Sequence, residues 1–64
     1  MTPNDFKKAR NLLGLSVNEM ALRLRLSLKN GGDRVRGYES GKEPITGPVA
    51  AAVFYMCKVE GIEI

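Results

Sequence analysis

The sequence predicts an all-α domain of four or five short helices. Two observations carry this reading. Helix starts are marked by capping residues, and apolar side chains recur three and four apart behind them. Glycines at positions 14, 41 and 61 then stand where the runs stop.

The first helix is expected over 3–13. Thr2 is its N-cap, Pro3 fits the first helical position, and Asp5 completes a capping box. Phe6, Ala9 and Leu13 form the inward stripe, with Leu12 beside it and Gly14 as the stop. Lys7 and Lys8 fall off the stripe and face solvent. A second helix, 17–25, opens on the capping box Ser16-Val17-Asn18-Glu19 and buries Val17, Met20, Ala21 and Leu24. Ala21 is small among larger neighbours, which fits either a closely crossing helix or a good helix former. Leu22 has no place on that stripe, and Leu26 serves as a core plug in the turn.

The stretch from Asn30 to Gly41 reads as a third helix, 31–40. Asn30 is the expected N-cap, with Asp33 reaching back to it, and Gly41 the stop. Val35 and Tyr38 point inward while Arg34 and Arg36 flank them toward solvent. Gly31, Gly32 and Gly37 are expected to thin the outer face and admit a close approach to the backbone. Pro44 keeps Glu43 out of helical geometry, so residues 42–45 form a loop. The last helix, 48–59, has Pro48 at its first position and only Lys58 charged. A helix apolar on nearly every side needs a second burial partner. Ile62-Glu63-Ile64 alternates like a very short strand.

Sixty-four residues are enough for one core and not for two. No apolar run is long enough to span a membrane, and the N-terminus lacks a signal-peptide pattern. A single cysteine, Cys57, suggests a reducing, cytoplasmic setting. Without histidine and with one cysteine there is no zinc finger and no expected metal, cofactor or catalytic residue. Glu39 and Glu43 are separated by a helix end and do not make an acid pair. Gly31-Gly32 lacks the ending of a phosphate-binding loop.

Charge is distributed unevenly. From Lys7 to Lys42 nine basic side chains face three acidic ones, a balance of +6, while the rest carries one against four, −3. Basic charge gathered on one part of a chain suits a nucleic-acid surface; the plainer alternative is a solvated, soluble face.

The ordered set Leu15-Ser16, Glu19-Met20-Ala21, Leu24, Leu26-Ser27, Val35, Tyr38-Glu39-Ser40-Gly41 and Pro44-Ile45 resembles the Cro-type (XRE-like) helix-turn-helix family, in its small bacterial and phage subset. The resemblance covers about residues 6 to 53. It implies a lambda-repressor-like fold in which the 31–40 helix is the recognition helix and the 17–25 helix crosses the DNA backbone. On that resemblance Asp33 and Arg36 match positions that reach base edges, and Arg34 one that touches bases or phosphate. Val35 and Tyr38 match core positions, and Arg10 and Glu39 match a pair between the first and third helices. Three departures stand out. Val17 replaces the usual Gln, so that contact is either absent or moved to Asn18, and Arg25 replaces the usual turn Gly. The turn 27–30 is also about three residues longer.

These readings together predict a dimeric, sequence-specific regulator of transcription, expected to repress a nearby promoter through double-stranded DNA. Asn18, Lys29, Asn30, Asp33, Arg34, Arg36 and Lys42 are the expected DNA contacts. Tyr55, Met56, Val59, Ile62 and Ile64 are the expected homodimer face. The alternative from another class is a protein-interaction module, an antitoxin or phage adaptor, using the apolar last helix. Single-stranded RNA binding is disfavoured, because only four aromatics exist and Phe6, Tyr38 and Phe54 are needed inside.

Overall fold

The computed structural model describes residues 1–27 and 29–64. Leu28, in the turn read above as longer than usual, lies outside the described residues. The chain runs through α1 (Pro3–Leu12), α2 (Val17–Arg23), α3 (Gly31–Ser40) and α4 (Gly47–Val59). Among the described residues these four are the helices, with no fifth and no strand; the 62–64 tail is coil.

Both capping boxes form. Thr2 Oγ1 accepts from the Asp5 N–H and the Asp5 carboxylate accepts from Thr2 N–H. Ser16 and Glu19 do the same for α2. Asn30 does not cap α3 with its side chain. Ser27 closes the turn before the helix: its hydroxyl accepts from the Lys29 and Asn30 N–H groups, and its carbonyl from Gly31 N–H. With the turn closed from Ser27, Asp33 is free to pair forward with Arg36 instead of back to Asn30.

Three of the helices end in the same way. Gly14, Arg25 and Gly61 sit in the left-handed region at φ of 72°, 59° and 71°. In each case the next N–H, from Leu15, Leu26 or Ile62, reaches back to the carbonyl of Arg10, Ala21 or Cys57. This is the Schellman closure, and each of those apolar residues packs on the core as that motif favours. Arg25 performs a glycine's task at a steric penalty, so α2 stops two residues before the expected 25. At the other end α4 begins at Gly47, which makes Pro48 its second residue rather than its first.

The core consists of Phe6, Ala9, Met20, Ala21, Val35, Tyr38, Val53 and Cys57. The rings of Phe6 and Tyr38 meet tilted at 52° with centroids 5.3 Å apart. Phe54, expected inside, is instead 48% exposed: Val53 and Cys57, four apart, already fill the inward side of α4. Cys57 packs as a small apolar group, and burial pushes its thiol up from the usual range.

α3 is gripped from two sides. A Cβ on Gly31 would stand 2.9 Å from the Ala21 Cβ and 3.2 Å from that of Leu26, so α2 and α3 cross where neither has a side chain to spare. Ala21 is therefore small because a helix crosses there. Gly37 is covered by Glu43, whose Cγ would lie 2.6 Å from an added Cβ and whose N–H donates to the Gly37 carbonyl. Gly31 and Gly37 thus face neighbours inside the protein, and only Gly32 thins the outer face.

From the other side, Arg10 Nε and Nη2 donate to the two carboxylate oxygens of Glu39 at 2.6 and 3.1 Å. Nη1 donates to the Leu15 carbonyl at 3.0 Å. The pair is largely buried, with side-chain exposures of 14% and 11%, and the hydrogen bond to Glu39 raises the guanidinium further above its usual value. Arg10 thus ties α1, the turn after it and α3 into one unit.

Two predictions follow from these contacts. Glu39→Ala leaves a shielded guanidinium with one carbonyl partner, and should destabilise the fold by about 3 kcal/mol. Thermal unfolding should register this as a drop of more than about 10 °C. Unchanged melting in both Glu39→Ala and Arg10→Met would remove the pair from any stabilising role. Second, Gly31→Ala should destabilise by about 1–3 kcal/mol through overpacking, whereas Arg25→Gly should stabilise by about 0.5–1 kcal/mol by relieving a left-handed non-glycine residue. Urea unfolding of both variants checks this, and the same sign for both would contradict it.

Candidate nucleic-acid interface

Successive residues on α3 turn by about 100°. With Gly31, Val35 and Tyr38 inward, positions 32, 33, 36 and 40 fall together on the outward side. Asp33, Arg36 and Ser40 are exposed there and Gly32 is half-buried. Arg34 stands about 160° round the helix from Arg36, on the flank next to Tyr38. The two arginines that sequence spacing places together therefore serve different faces.

Arg36 Nη1 lies 3.2 Å from Asp33 Oδ1 in an exposed pair. Exposed pairs contribute at most about 1 kcal/mol, so this one can open for a better partner. It leaves the centre of the outward face electrically neutral. The cations stand around that centre. Lys29 lies just before the first turn of α3, Lys42 lies beyond its end, and both are exposed. The ten-residue helix between them is about 15 Å long. The first-turn N–H groups of α3 receive no side-chain cap, and the exposed Asn30 does not use its amide for that purpose.

Asn18 comes to the same place from α2. Its Oδ1 would lie 2.7 Å from a Cβ on Gly32, and Arg36 Nη1 3.5 Å from it. Three residues from two helices therefore converge on one spot. Beside it opens a hollow of about 170 Å³ lined by Asn18, Ala21, Leu22, Leu26, Ser27 and Gly32. Leu22, without a place on the helical stripe, is 56% exposed at this edge. The neighbouring Glu19 has its carboxylate engaged at the start of α2. The hydrogen bonds from the Ser16 backbone and hydroxyl hold it below the usual carboxylate range, so it stays ionised at neutral pH.

A second surface lies on α4, which packs chiefly on α1. Tyr55 is 69% and Val59 64% exposed, and Ile64 is exposed as well. Met56 and Ile62 are half-buried against the core, so they border the patch. Phe54 belongs to it in their stead, and it also lines a hollow of about 600 Å³ with Lys58, Gly61, Ile62, Glu63 and Ile64.

All seven residues expected to touch DNA are exposed, and Asn18, Asp33 and Arg36 are brought together. Gly32, read from the sequence together with Gly31 and Gly37 as thinning the outer face, is the one of the three that lies at this spot. Its signal was a glycine in register with Arg36 on the polar side of a helix, a position that gains nothing from lacking a side chain unless something must come close. No protein-family model matches the chain, and comparisons with curated proteins and with solved structures find no match either.

Proposed function

We propose that the chain is a sequence-specific, double-stranded-DNA-binding regulator of the helix-turn-helix kind, acting as a homodimer that occludes a nearby promoter. The convergence of Asn18, Gly32 and Arg36 on the outward face of α3 is the observation that supports this reading best. A neutral, hydrogen-bonding centre ringed by cations is the arrangement that reading bases between two phosphate strands requires.

In this reading α3 enters the major groove and α2 crosses the backbone. Arg36 leaves Asp33 and takes guanine O6 and N7, while Asp33 accepts from a cytosine amino group. Asn18 takes over the contact that Val17 cannot make. Lys29, Lys42 and Arg34 meet phosphates, as do the uncapped N–H groups at the start of α3 and the Asn30 amide.

Dimerisation through α4 completes the reading. The domain's longest dimension is 30 Å. Two recognition helices about 34–36 Å apart therefore call for two copies side by side. The exposed Phe54, Tyr55 and Val59, with Ile64 of the tail, offer a self-complementary apolar face for a two-fold axis, bordered by Met56 and Ile62. That same patch is what favours the rival reading, a protein-interaction module whose binding would be insensitive to salt.

Titration of duplexes chosen from random DNA tests the contacts. Arg36→Ala should cost about 1–3 kcal/mol on the preferred site and relax specificity at one base pair. Lys42→Ala should weaken all sequences alike and reduce the salt slope by roughly one. Uniform losses in both variants would reverse these roles, and no salt-dependent duplex binding at all would favour the rival. For assembly, sedimentation at micromolar concentration should give a dimer, and footprinting an inverted repeat with half-sites roughly 10–10.5 bp apart. A monomer on a single unrepeated site would overturn the dimer.

A further inference from the structure

Resting on that DNA-binding reading, we infer that the notch over Gly32 is a thymine-methyl pocket, which makes Gly32 and its apolar surround a specificity-determining element of the interface. The hollow beside Gly32 differs in chemistry from the rest of the outward face. Ala21, Leu22 and Leu26 give it an apolar wall, and Asn18 and Ser27 give it a polar rim. Major-groove base edges present hydrogen-bonding atoms with one exception, the 5-methyl group of thymine. Among the groups that base edges present in the major groove, an apolar recess set among polar readers matches the thymine methyl.

The geometry sets the neighbours of this thymine. Gly32 brings no side chain, and the Asn18 amide oxygen takes the space a Cβ would fill, so a base edge meets Asn18 above Gly32 and the hollow beside it. Asn18 Oδ1 and Arg36 Nη1 already flank the vacant Cβ position. Asn18 is therefore within reach of the adenine paired with that thymine, or of the adjacent one. Arg36, one turn along α3, takes a guanine on the side away from the hollow. The half-site should contain an A·T pair next to a G·C pair in this order. Any side chain at position 32 would meet the Asn18 amide at 2.7 Å and displace it, as well as closing the notch. The amide is the end of a movable side chain, so the displacement harms reading rather than folding.

The test uses the full chain and the duplex it prefers among random sequences. Each thymine is replaced in turn by deoxyuridine, which removes only the methyl. Wild-type protein should lose about fourfold in affinity at one position per half-site, the worth of one buried carbon. Gly32→Ala should melt no lower than wild type, lose roughly tenfold or more on the preferred duplex, and no longer distinguish thymine from uracil there. The wild-type uridine series stands even if the variant folds poorly. Tight duplex binding with no uracil-sensitive position would overturn the methyl pocket and leave the regulator reading intact. Gly32→Ala binding like wild type would overturn it as well. Absence of any specific duplex binding would overturn both.

Discussion

The close crossing of α2 and α3 at Ala21 and Gly31 is the constraint on which the rest of the structure depends. With no room for a Cβ at position 31, the two helices approach along their backbones. That approach sets the depth of α3 in the domain. Val35 and Tyr38 can then reach Phe6 and the core, and Glu39 can reach Arg10. It also brings Asn18 over Gly32, so the same crossing that closes the core assembles the outward face. A larger residue at either position would part the helices and dismantle both.

A domain this small buries only about 60% of the surface its unfolded chain exposes. It compensates through its chain turns. Leu15, Leu26 and Ile62 each follow a left-handed residue, satisfy a helix-end carbonyl, and add apolar area to the eight buried core residues among those described. At one of the three that left-handed residue is Arg25 rather than glycine. An exposed cation is kept there despite the backbone strain. The position borders a second hollow, lined also by Leu15, Glu19, Leu22 and Arg23.

The electrostatics of the outward face separate two tasks. Asp33 and Arg36 cancel each other at its centre, while Lys29, Arg34 and Lys42 remain exposed around it. Attraction to a polyanion would come from the periphery, which is insensitive to sequence. Discrimination would fall to the centre, where a misplaced partner leaves Arg36 with its weak intrahelical pair. On the proposed DNA-binding reading, such a division would allow fast association together with rejection of wrong sites.

Local chemistry was legible in the sequence. The capping boxes at Thr2 and Ser16, the stops at Gly14, Gly41 and Gly61, and the inward pairs on α2 and α3 each depend on residues within one turn of one another. Such short-range rules can be applied without knowing the fold. The Arg10–Glu39 pair was reached through a family resemblance, since nothing local connects residues 29 apart. Tertiary structure alone decided the rest. It left Asn30 at the start of α3 without a side-chain capping bond, because the turn closes on Ser27 before the helix begins. It exposed Phe54, because Val53 and Cys57 occupy the one inward side that α4 has. It also turned Gly31 and Gly37 toward Ala21 and Glu43 and brought the Asn18 amide over Gly32. What a missing side chain makes room for depends on which backbone passes nearby, and that is set by how the helices cross.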